Sequence, residues 1–261
     1  IDSKIVPHPA GKGGQALATP PIENEIRNSS SWHKRAMTDI DARLSDATEM
    51  GVDVQIIYPT LFIGFLTHDV ELEVALARAY NRFMADACAR SNGRMRWVVV
   101  PALRDLDRSI EEINFGKENG ACAVFFRGHE GDMLLSDPRL FPVYEEAQRL
   151  NLAIAVHAAA GNFGAYDLVS TTFGIETFKF PTIGSFSELV LKQIPPKFPD
   201  LRWCFIEVTS QWLPYVMNDF ILRGKRLAGV TLPQNGQLME EYNLNVGAQT
   251  IADLDYIITV S

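Results

Sequence analysis

The chain alternates short runs of apolar residues with longer amphipathic stretches. Six runs stand out: Val52–Tyr58, Met95–Val100, Cys122–Phe126, Leu152–His157, Trp203–Val208 and, more weakly, Tyr242–Gly247. Continuous runs rich in Val, Ile and Phe are typical of strands that are buried on both faces of a parallel sheet. The pattern therefore predicts six parallel strands.

The stretches between these runs have the spacing of amphipathic helices. In Glu71–Ser91, for example, Leu72, Leu76 and Tyr80 fall on one helical face. The predicted helices are Met37–Met50, Glu71–Ser91, Leu106–Asn119, Pro138–Leu150, Phe186–Gln193, Gln211–Arg223 and Ile251–Val260. Two long connections, Ser3–Trp32 and Ala158–Thr182, are predicted to be loops, which at this length are usually functional or mobile.

Repeated strand–helix units predict a parallel α/β sheet with right-handed crossovers. An open doubly wound sheet and a TIM-like (β/α)8 barrel both satisfy this pattern. The barrel is favoured because the units simply repeat and no glycine-rich phosphate-binding motif follows any run. The visible strands leave the barrel incomplete at both ends, by one strand before residue 40 and one after Ser261. We expect a single barrel domain over residues 1–261, with 1–32 as an irregular N-terminal segment.

Charge and cysteine usage narrow the class of protein. The 24 basic and 32 acidic residues give a formal net charge of −8, which argues against a nucleic acid or an anionic membrane as partner. No apolar window approaches the roughly 18 residues of a membrane span. Cys88, Cys122 and Cys204 are far apart and odd in number, which predicts reduced thiols and a cytoplasmic protein.

Candidate chemistry stands at the C-terminal ends of the predicted strands, where active sites of parallel barrels lie. His157 ends the fourth run, and Glu207 interrupts the fifth, where a carboxylate is costly unless it is paired or bound to a metal. Imidazole and carboxylate are good ligands for Zn²⁺ or Mn²⁺. We therefore predict His157 and Glu207 as catalytic and metal-binding residues. A buried core histidine and a carboxylate paired with a structural arginine remain the alternative interpretations.

A substrate-binding set is predicted around this pair. Arg127 follows the third run and could bind a carboxylate through its planar fork, although a solvated loop residue is the alternative. Aromatic residues near the strand ends indicate a pocket for a planar substrate, although plain packing is equally compatible with them. The predicted substrate-binding residues are Arg127, Tyr58, Phe126, Asn162 and Trp212, and Phe163 belongs to the same aromatic set.

Four segments carry a family resemblance: Gly51–Thr60 (GVDVQIIYPT), Ala77–Arg96, Asp137–Ala159 (DPRLFPVYEEAQRLNLAIAVHAA) and Phe198–Tyr215 (FPDLRWCFIEVTSQWLPY). They resemble the amidohydrolase-related family, the branch that contains aminocarboxymuconate-semialdehyde decarboxylase and the resorcylate-type decarboxylases. The resemblance runs from about Asp39 to Ser261. Its DPR and FPDLR blocks are specific for the family and not for one reaction.

The resemblance implies a barrel with one divalent metal ion, Zn²⁺ or alternatively Mn²⁺. His157 matches the family's ligand on strand 5, and Glu207 falls on the strand-6 position. Two parts of the family pattern, an HxH or ExH pair on strand 1 and an Asp on strand 8, do not occur in this sequence, and the Asp would fall a few residues past Ser261.

For function, the resemblance implies a metal-dependent decarboxylase of an aromatic or unsaturated carboxylic acid, acting as a homodimer on a small-molecule substrate. A metal-dependent hydrolase of a C–O or C–N bond is the first alternative. A catalytically inactive barrel used for binding is the second.

Overall fold

A computed structural model describes residues 37–64, 66–162, 175–223 and 237–249, together with residues 226, 229, 232, 233 and 255. The chain divides into two compact units, Ile1–Val124 and Phe125–Ser261. The boundary falls within one strand, so that strand contributes residues to both units. The expected organisation as a single domain stays a prediction.

The first unit is built from three parallel strands and three helices. The strands are β1 (Gln55–Ile57), β2 (Met95–Val99) and the first four residues of β3 (Ala121–Arg127), and β2 pairs with both of the others. The helices are α1 (Ile40–Glu49), α2 (Val70–Ala89) and α3 (Leu106–Glu118), and a 3₁₀ turn spans Leu61–Ile63. Each helix follows the strand–helix alternation that the apolar runs predict.

Aspartates fix where these three helices begin. Asp39, Asp69 and Asp105 are the N-caps of α1, α2 and α3, and each side chain accepts a hydrogen bond from the backbone N–H three residues further on. In α2, the fully buried Asn81 donates to the Val100 carbonyl and accepts from the Val100 N–H, at 3.0 and 2.9 Å. This contact ties α2 to the end of β2.

The second unit holds the end of β3 and three further parallel strands, β4 (Ala153–His157), β5 (Trp203–Ile206) and β6 (Leu244–Val246). Strand β5 pairs with β4 on one side and with β6 on the other. The backbone N–H of Gly128, just past β3, donates to the Ala159 carbonyl, just past β4, at 2.9 Å. The ends of β3 and β4 therefore lie side by side.

Helices follow the strands of the second unit. They are α4 (Phe141–Arg149), α5 (Ile175–Phe178), α6 (Phe180–Leu191), α7 (Leu213–Arg223) and α8 (Leu238–Glu241), with 3₁₀ turns at Pro138–Leu140 and Pro195–Lys197. The fully buried Tyr144 of α4 packs edge-on against Trp203 of β5, with ring centroids 4.9 Å apart. Its hydroxyl donates to the Leu135 carbonyl at 2.7 Å, so the one polar atom of this buried ring is satisfied.

The structure confirms the six predicted parallel strands and most of the predicted helices. The helix predicted over Phe186–Gln193 begins six residues earlier, at Phe180, because Pro181 occupies its first turn and starts the helix. Cys88, Cys122 and Cys204 form no disulfide with one another. Within the described part of the chain, no helix is both long and apolar enough to cross a membrane.

Some predicted elements lie outside the described residues. These are the loop Ser3–Trp32, residues 163–174 of the loop Ala158–Thr182, and the helix Ile251–Val260 apart from Asp255. The described end of the second loop is helical instead, because α5 and the start of α6 fall within it.

Candidate functional site

His157 is the last residue of β4 and is 4% exposed. Its ring Nδ1 lies 3.0 Å from the carbonyl oxygen of Ala158. Because a carbonyl only accepts hydrogen bonds, this contact places a proton on Nδ1. The Thr182 hydroxyl donates to the main-chain carbonyl of His157 at 2.8 Å. Both the ring and the backbone of this histidine are therefore held in place.

Glu207 is the first residue after β5, and it turns the chain toward His157. Its φ of +63° lies in the left-handed region, which non-glycine residues adopt only at local cost. One carboxylate oxygen, Oε2, lies 2.9 Å from Nε2 of His157. The Glu207 side chain is 43% exposed and that of His157 only 5%. The structure therefore brings these two predicted residues into direct contact, while their roles stay predictions.

The contact between His157 and Glu207 sets two hydrogen-bond acceptors side by side unless a proton or a cation lies between them. Since Nδ1 already carries a proton, a neutral imidazole presents a lone pair at Nε2 and would face a carboxylate oxygen that also only accepts. A second proton, or a cation in its place, removes this conflict. The imidazole nitrogen and the carboxylate oxygen are both atom types that Zn²⁺ accepts as ligands. The pair therefore fits as two donors of a metal site.

Among the described residues, no third metal-binding side chain is grouped with His157 and Glu207. Across the described ranges, no cluster of three or more His, Cys, Asp or Glu side chains is arranged to hold a metal ion. Since catalytic zinc sites usually take three protein ligands, this pair accounts for part of such a site.

A shallow cavity of about 330 Å³ adjoins the pair. It is lined by His157, Ile206, Glu207, Gly247, Ala248 and Gln249. Gly247 and Ala248 leave room beside the two polar groups, and the Gln249 carboxamide can both donate and accept hydrogen bonds. Gln249 is absent from the predicted substrate-binding set, and its position three residues past β6 is the signal that could have included it.

Arg127, the last residue of β3, is buried and forms an ion pair with Glu130. The guanidinium Nε lies 3.1 Å from both carboxylate oxygens, and the Arg127 backbone N–H donates to Glu130 Oε1 at 2.6 Å. Arg127 is 8% and Glu130 3% exposed, so this is not the solvated loop residue of the alternative interpretation. The role of Arg127 in binding a substrate carboxylate stays a prediction, and Glu130 already occupies part of its fork. His129 lies between these two residues in the sequence, and burial lowers the pKa of its imidazole.

The aromatic residue of β3 that contacts His157 is Phe125, with ring centroids 5.9 Å apart. Phe126, which the sequence placed in the substrate pocket, is fully buried and packs on Tyr144 of α4 with centroids 5.7 Å apart. Adjacent strand residues point to opposite faces, so only one of the two can face the histidine. Phe126 therefore packs against α4, and its role in binding the substrate stays a prediction.

The other predicted substrate-binding residues lie at different places. The indole N–H of the half-buried Trp212 donates to the Thr209 carbonyl at 3.0 Å, and the Asn162 side chain donates to the Gly131 carbonyl at 2.8 Å. Tyr58 is half-buried and follows β1 in the first unit. Phe163 lies outside the described residues.

Several solved structures of named proteins have the same fold as this chain. An amidohydrolase, map2389c, from Mycobacterium avium subsp. paratuberculosis K-10 is 18% identical with a TM-score of 0.72, covering 84% of this chain and 61% of that chain. The 5-carboxyvanillate decarboxylase LigW from Sphingomonas paucimobilis is 18% identical with a TM-score of 0.69, covering 85% and 69%.

A 5-carboxyvanillate decarboxylase from Novosphingobium aromaticivorans DSM 12444, complexed with manganese and 4-hydroxy-3-methoxy-5-nitrobenzoic acid, is 21% identical with a TM-score of 0.66, covering 82% and 64%. This chain therefore spans less than two thirds of the length of two of the three structures. The likeness confirms the predicted TIM-like (β/α)8 fold, of which the described residues contribute six parallel strands.

A family model described as "Amidohydrolase" matches residues 16–220, which is most of the sequence and includes both His157 and Glu207. The chain therefore belongs to the amidohydrolase family.

Proposed function

We propose that this chain carries part of the active site of a metal-dependent decarboxylase that acts on an aromatic or unsaturated carboxylic acid. The observation that carries the proposal is the contact between His157 Nε2 and Glu207 Oε2 at the mouth of a cavity. The names of two of the similar structures, both 5-carboxyvanillate decarboxylases, support a carbon–carbon lyase. The similarity is low and covers only part of those proteins, so the activity is proposed for the whole protein.

His157 and Glu207 would hold a divalent ion through Nε2 and the carboxylate. Their nitrogen and oxygen atoms suit Zn²⁺ and also Mn²⁺, and the manganese in the Novosphingobium structure supports the second choice. When bound, the ion would supply the positive charge that fixes and polarises a substrate carboxylate.

As an alternative to binding the ion, Glu207 is the proton carrier of this proposal. When a carboxylate leaves as CO₂, its electron pair stays on the carbon, and a proton must be delivered there to complete the product. The Glu207 side chain lines the cavity and is 43% exposed, so it can take a proton from water and pass it to a carbon held beside it. His157, fixed through Nδ1 and its main chain, orients the carboxyl group.

The cavity fits a small acid. Its volume of about 330 Å³ lies at the lower end of the range for ligand pockets. Gln249 could bind a hydroxyl or carbonyl group on the substrate. Arg127, Tyr58, Phe126 and Asn162 remain proposed substrate-binding residues, although the structure engages Arg127 with Glu130. The indole N–H of Trp212 donates to the Thr209 carbonyl, which favours a positioning role for this residue instead.

The test is release of CO₂ from hydroxybenzoic acids by the full-length protein loaded with zinc or manganese. Glu207→Gln keeps an amide oxygen near His157 but cannot carry a proton. We expect its kcat to fall by about 100-fold or more. The control is Glu145→Gln, because Glu145 lies on the exposed face of α4 and should leave kcat unchanged. Full activity of Glu207→Gln would overturn the proton role.

A hydrolase of a C–O or C–N bond is the second candidate, favoured by the name amidohydrolase that the matching family and the Mycobacterium structure carry. The same metal-loaded protein is therefore assayed with activated lactones and amides. Cleavage of these compounds without CO₂ release would replace the decarboxylase. An inactive barrel would show neither reaction and would bind no metal.

Two further properties belong to this proposal. Cys88, Cys122 and Cys204 form no disulfide with one another, which supports a reducing compartment such as the cytoplasm. Tyr215 and Leu222 are two helical turns apart on α7 and are 77% and 73% exposed, which supports an apolar contact in a homodimer. Light scattering of the purified protein, with Leu222→Lys as the comparison, tests the dimer.

A further inference from the structure

We infer that Trp212 is a positioning residue, which holds Glu207 against His157 by fixing the strained turn Glu207–Thr209. This inference rests on the proposed function, because it assigns Glu207 to the metal pair. It differs from the sequence-based prediction, in which Trp212 binds the substrate.

The turn after β5 contains two residues in a conformation that their side chains disfavour. Glu207 has φ of +63° and Thr209 has φ of +58°. A β-branched residue such as threonine is a genuine outlier in the left-handed region, because its branched side chain crowds the backbone. Such a conformation persists only where the surrounding structure over-determines it. The contacts that hold this turn are therefore part of the site.

Among the described residues, backbone hydrogen bonds fix the strand up to the turn, but not the turn itself. Ile206 accepts from the Ala158 N–H at 2.9 Å, and Phe205 accepts from the Gly247 N–H at 2.8 Å. Beyond them, the carbonyl of Thr209 accepts from the indole N–H of Trp212 at 3.0 Å. The indole therefore binds the far end of the strained turn, and His157 binds the near end through the Glu207 carboxylate.

An aromatic cluster gives Trp212 a fixed position from which to act. Its ring packs edge-on against Phe186 of α6, with centroids 5.0 Å apart and planes 73° apart. Phe186 is fully buried and also contacts Phe205 of β5 at 5.0 Å and Phe220 of α7 at 6.0 Å. Helix α6, strand β5 and helix α7 thus meet at the Phe186 ring. The Trp212 indole packs on this same ring and therefore has little freedom to move.

Holding this turn bears directly on the metal pair. If the turn relaxes to negative φ, the Glu207 side chain points in a different direction and its oxygen leaves His157 Nε2. Groups behind a ligand commonly change metal affinity by about 10- to 100-fold when they are removed. We therefore expect Trp212→Phe, which keeps a ring but removes the N–H, to weaken zinc binding by about 10-fold.

The experiment is a double-mutant cycle on zinc affinity, measured by competition with a chelator in the full-length protein. The four proteins are the wild type, Trp212→Phe, Thr209→Gly and the double variant. Glycine adopts positive φ without cost, so the turn in Thr209→Gly no longer depends on the indole. We expect Trp212→Phe to weaken zinc binding much less in the Thr209→Gly background than in the wild type. Equal losses in both backgrounds would overturn the inference.

A matched control separates positioning from loss of stability. Trp97 in the first unit also donates its indole N–H to a backbone carbonyl, that of Asn119, at 3.0 Å. Trp97→Phe should lower the melting temperature without changing zinc affinity. If Trp212 instead binds the substrate, Trp212→Phe will raise KM and leave zinc affinity intact, which also overturns the inference.

His157→Ala distinguishes failure of this inference from failure of the proposed function. Loss of zinc binding in His157→Ala with no effect of Trp212→Phe would reject only the positioning role. Unchanged zinc affinity in His157→Ala would reject the metal pair itself.

Discussion

The imidazole Nε2 of His157 lies 2.9 Å from Oε2 of Glu207, although the two residues come from the ends of different strands. The parallel pairing of β4 with β5 places His157 opposite Ile206, the last residue of β5. Glu207, the residue after Ile206, must therefore turn away from the strand direction to reach the imidazole ring. Glu207 does so by adopting positive φ. The site therefore depends on strand register and on one unusual backbone conformation together.

Removing the hydroxyl of Tyr144 should destabilise the protein, whereas removing that of Tyr80 should not. The Tyr144 hydroxyl donates to the Leu135 carbonyl at 2.7 Å in the core, and Tyr144→Phe leaves that carbonyl without its donor. We expect a loss of about 1–3 kcal/mol in the free energy of unfolding. The Tyr80 hydroxyl is buried without a hydrogen-bond partner among the described residues, so Tyr80→Phe should be neutral or stabilising. Urea unfolding of both variants measures this contrast, and equal losses would contradict it.

Two glycines should respond in opposite ways to alanine. A Cβ at Gly161 would lie 2.3 Å from the His129 carbonyl oxygen and 2.7 Å from Arg127 Nε, so the loop after β4 must shift away from the loop after β3. We expect Gly161→Ala to cost about 1–3 kcal/mol. At Gly184, a Cβ would meet no described atom within 4 Å apart from its chain neighbours and the backbone of α6 itself, and Gly184→Ala should add about 0.5–1 kcal/mol. Thermal unfolding compares the two, and a tolerated Gly161→Ala would show that this loop is not closely packed.

Glu130→Gln should be strongly destabilising because it leaves the buried guanidinium of Arg127 without its counter-charge. Arg127 and Glu130 are 8% and 3% exposed, and breaking a buried pair from one side costs about 3–5 kcal/mol. Asp132→Asn removes one partner of an exposed pair with Arg139 and should leave stability unchanged. If the two variants unfold at the same denaturant concentration, the Arg127–Glu130 pair contributes nothing specific.

The stability contributed by Glu188 should fall as the pH rises. Burial raises the pKa of this carboxyl above its ordinary 4.5, although the Ser136 hydroxyl donates to it and opposes the shift. The folded protein therefore binds the proton more tightly than the unfolded chain. Stability is highest below the unfolded pKa and is lost as the pH rises through the folded pKa. Glu188→Gln removes this dependence.

The wild type should accordingly lose stability relative to Glu188→Gln as the pH rises from about 4 to 7. Urea unfolding of both proteins across this range gives the difference directly, and effects of the other carboxyl groups cancel. A difference that does not change with pH would show that Glu188 titrates alike in the folded and unfolded chain.

The strands could be predicted because continuous apolar runs such as LAIAVH leave no other place for their side chains than the interior. The same property hides which side of the strand faces the site. In β3, Phe125 and Phe126 are both buried, so no alternation of polar and apolar residues shows that Phe125 is the one beside His157.

The local backbone of the site was beyond prediction from sequence. A glutamate rarely adopts positive φ, so the run WCFIEV predicts a continuous strand, whereas β5 ends at Ile206. The burial of Arg127 was likewise hidden, because its partner Glu130 stands in a loop and pairs with it only through the turn at Gly128. The residue types at the strand ends therefore identify the candidate pair His157 and Glu207. The geometry of the pair is visible only in the folded structure.

The most direct test of the metal pair is elemental analysis of the purified full-length protein beside its His157→Ala variant. The account predicts one zinc or manganese ion per chain in the wild type. It predicts loss of that ion in His157→Ala, with the circular dichroism spectrum of the folded protein retained. A folded His157→Ala variant with the same metal content as the wild type would contradict the assignment of His157 and Glu207 to a metal site.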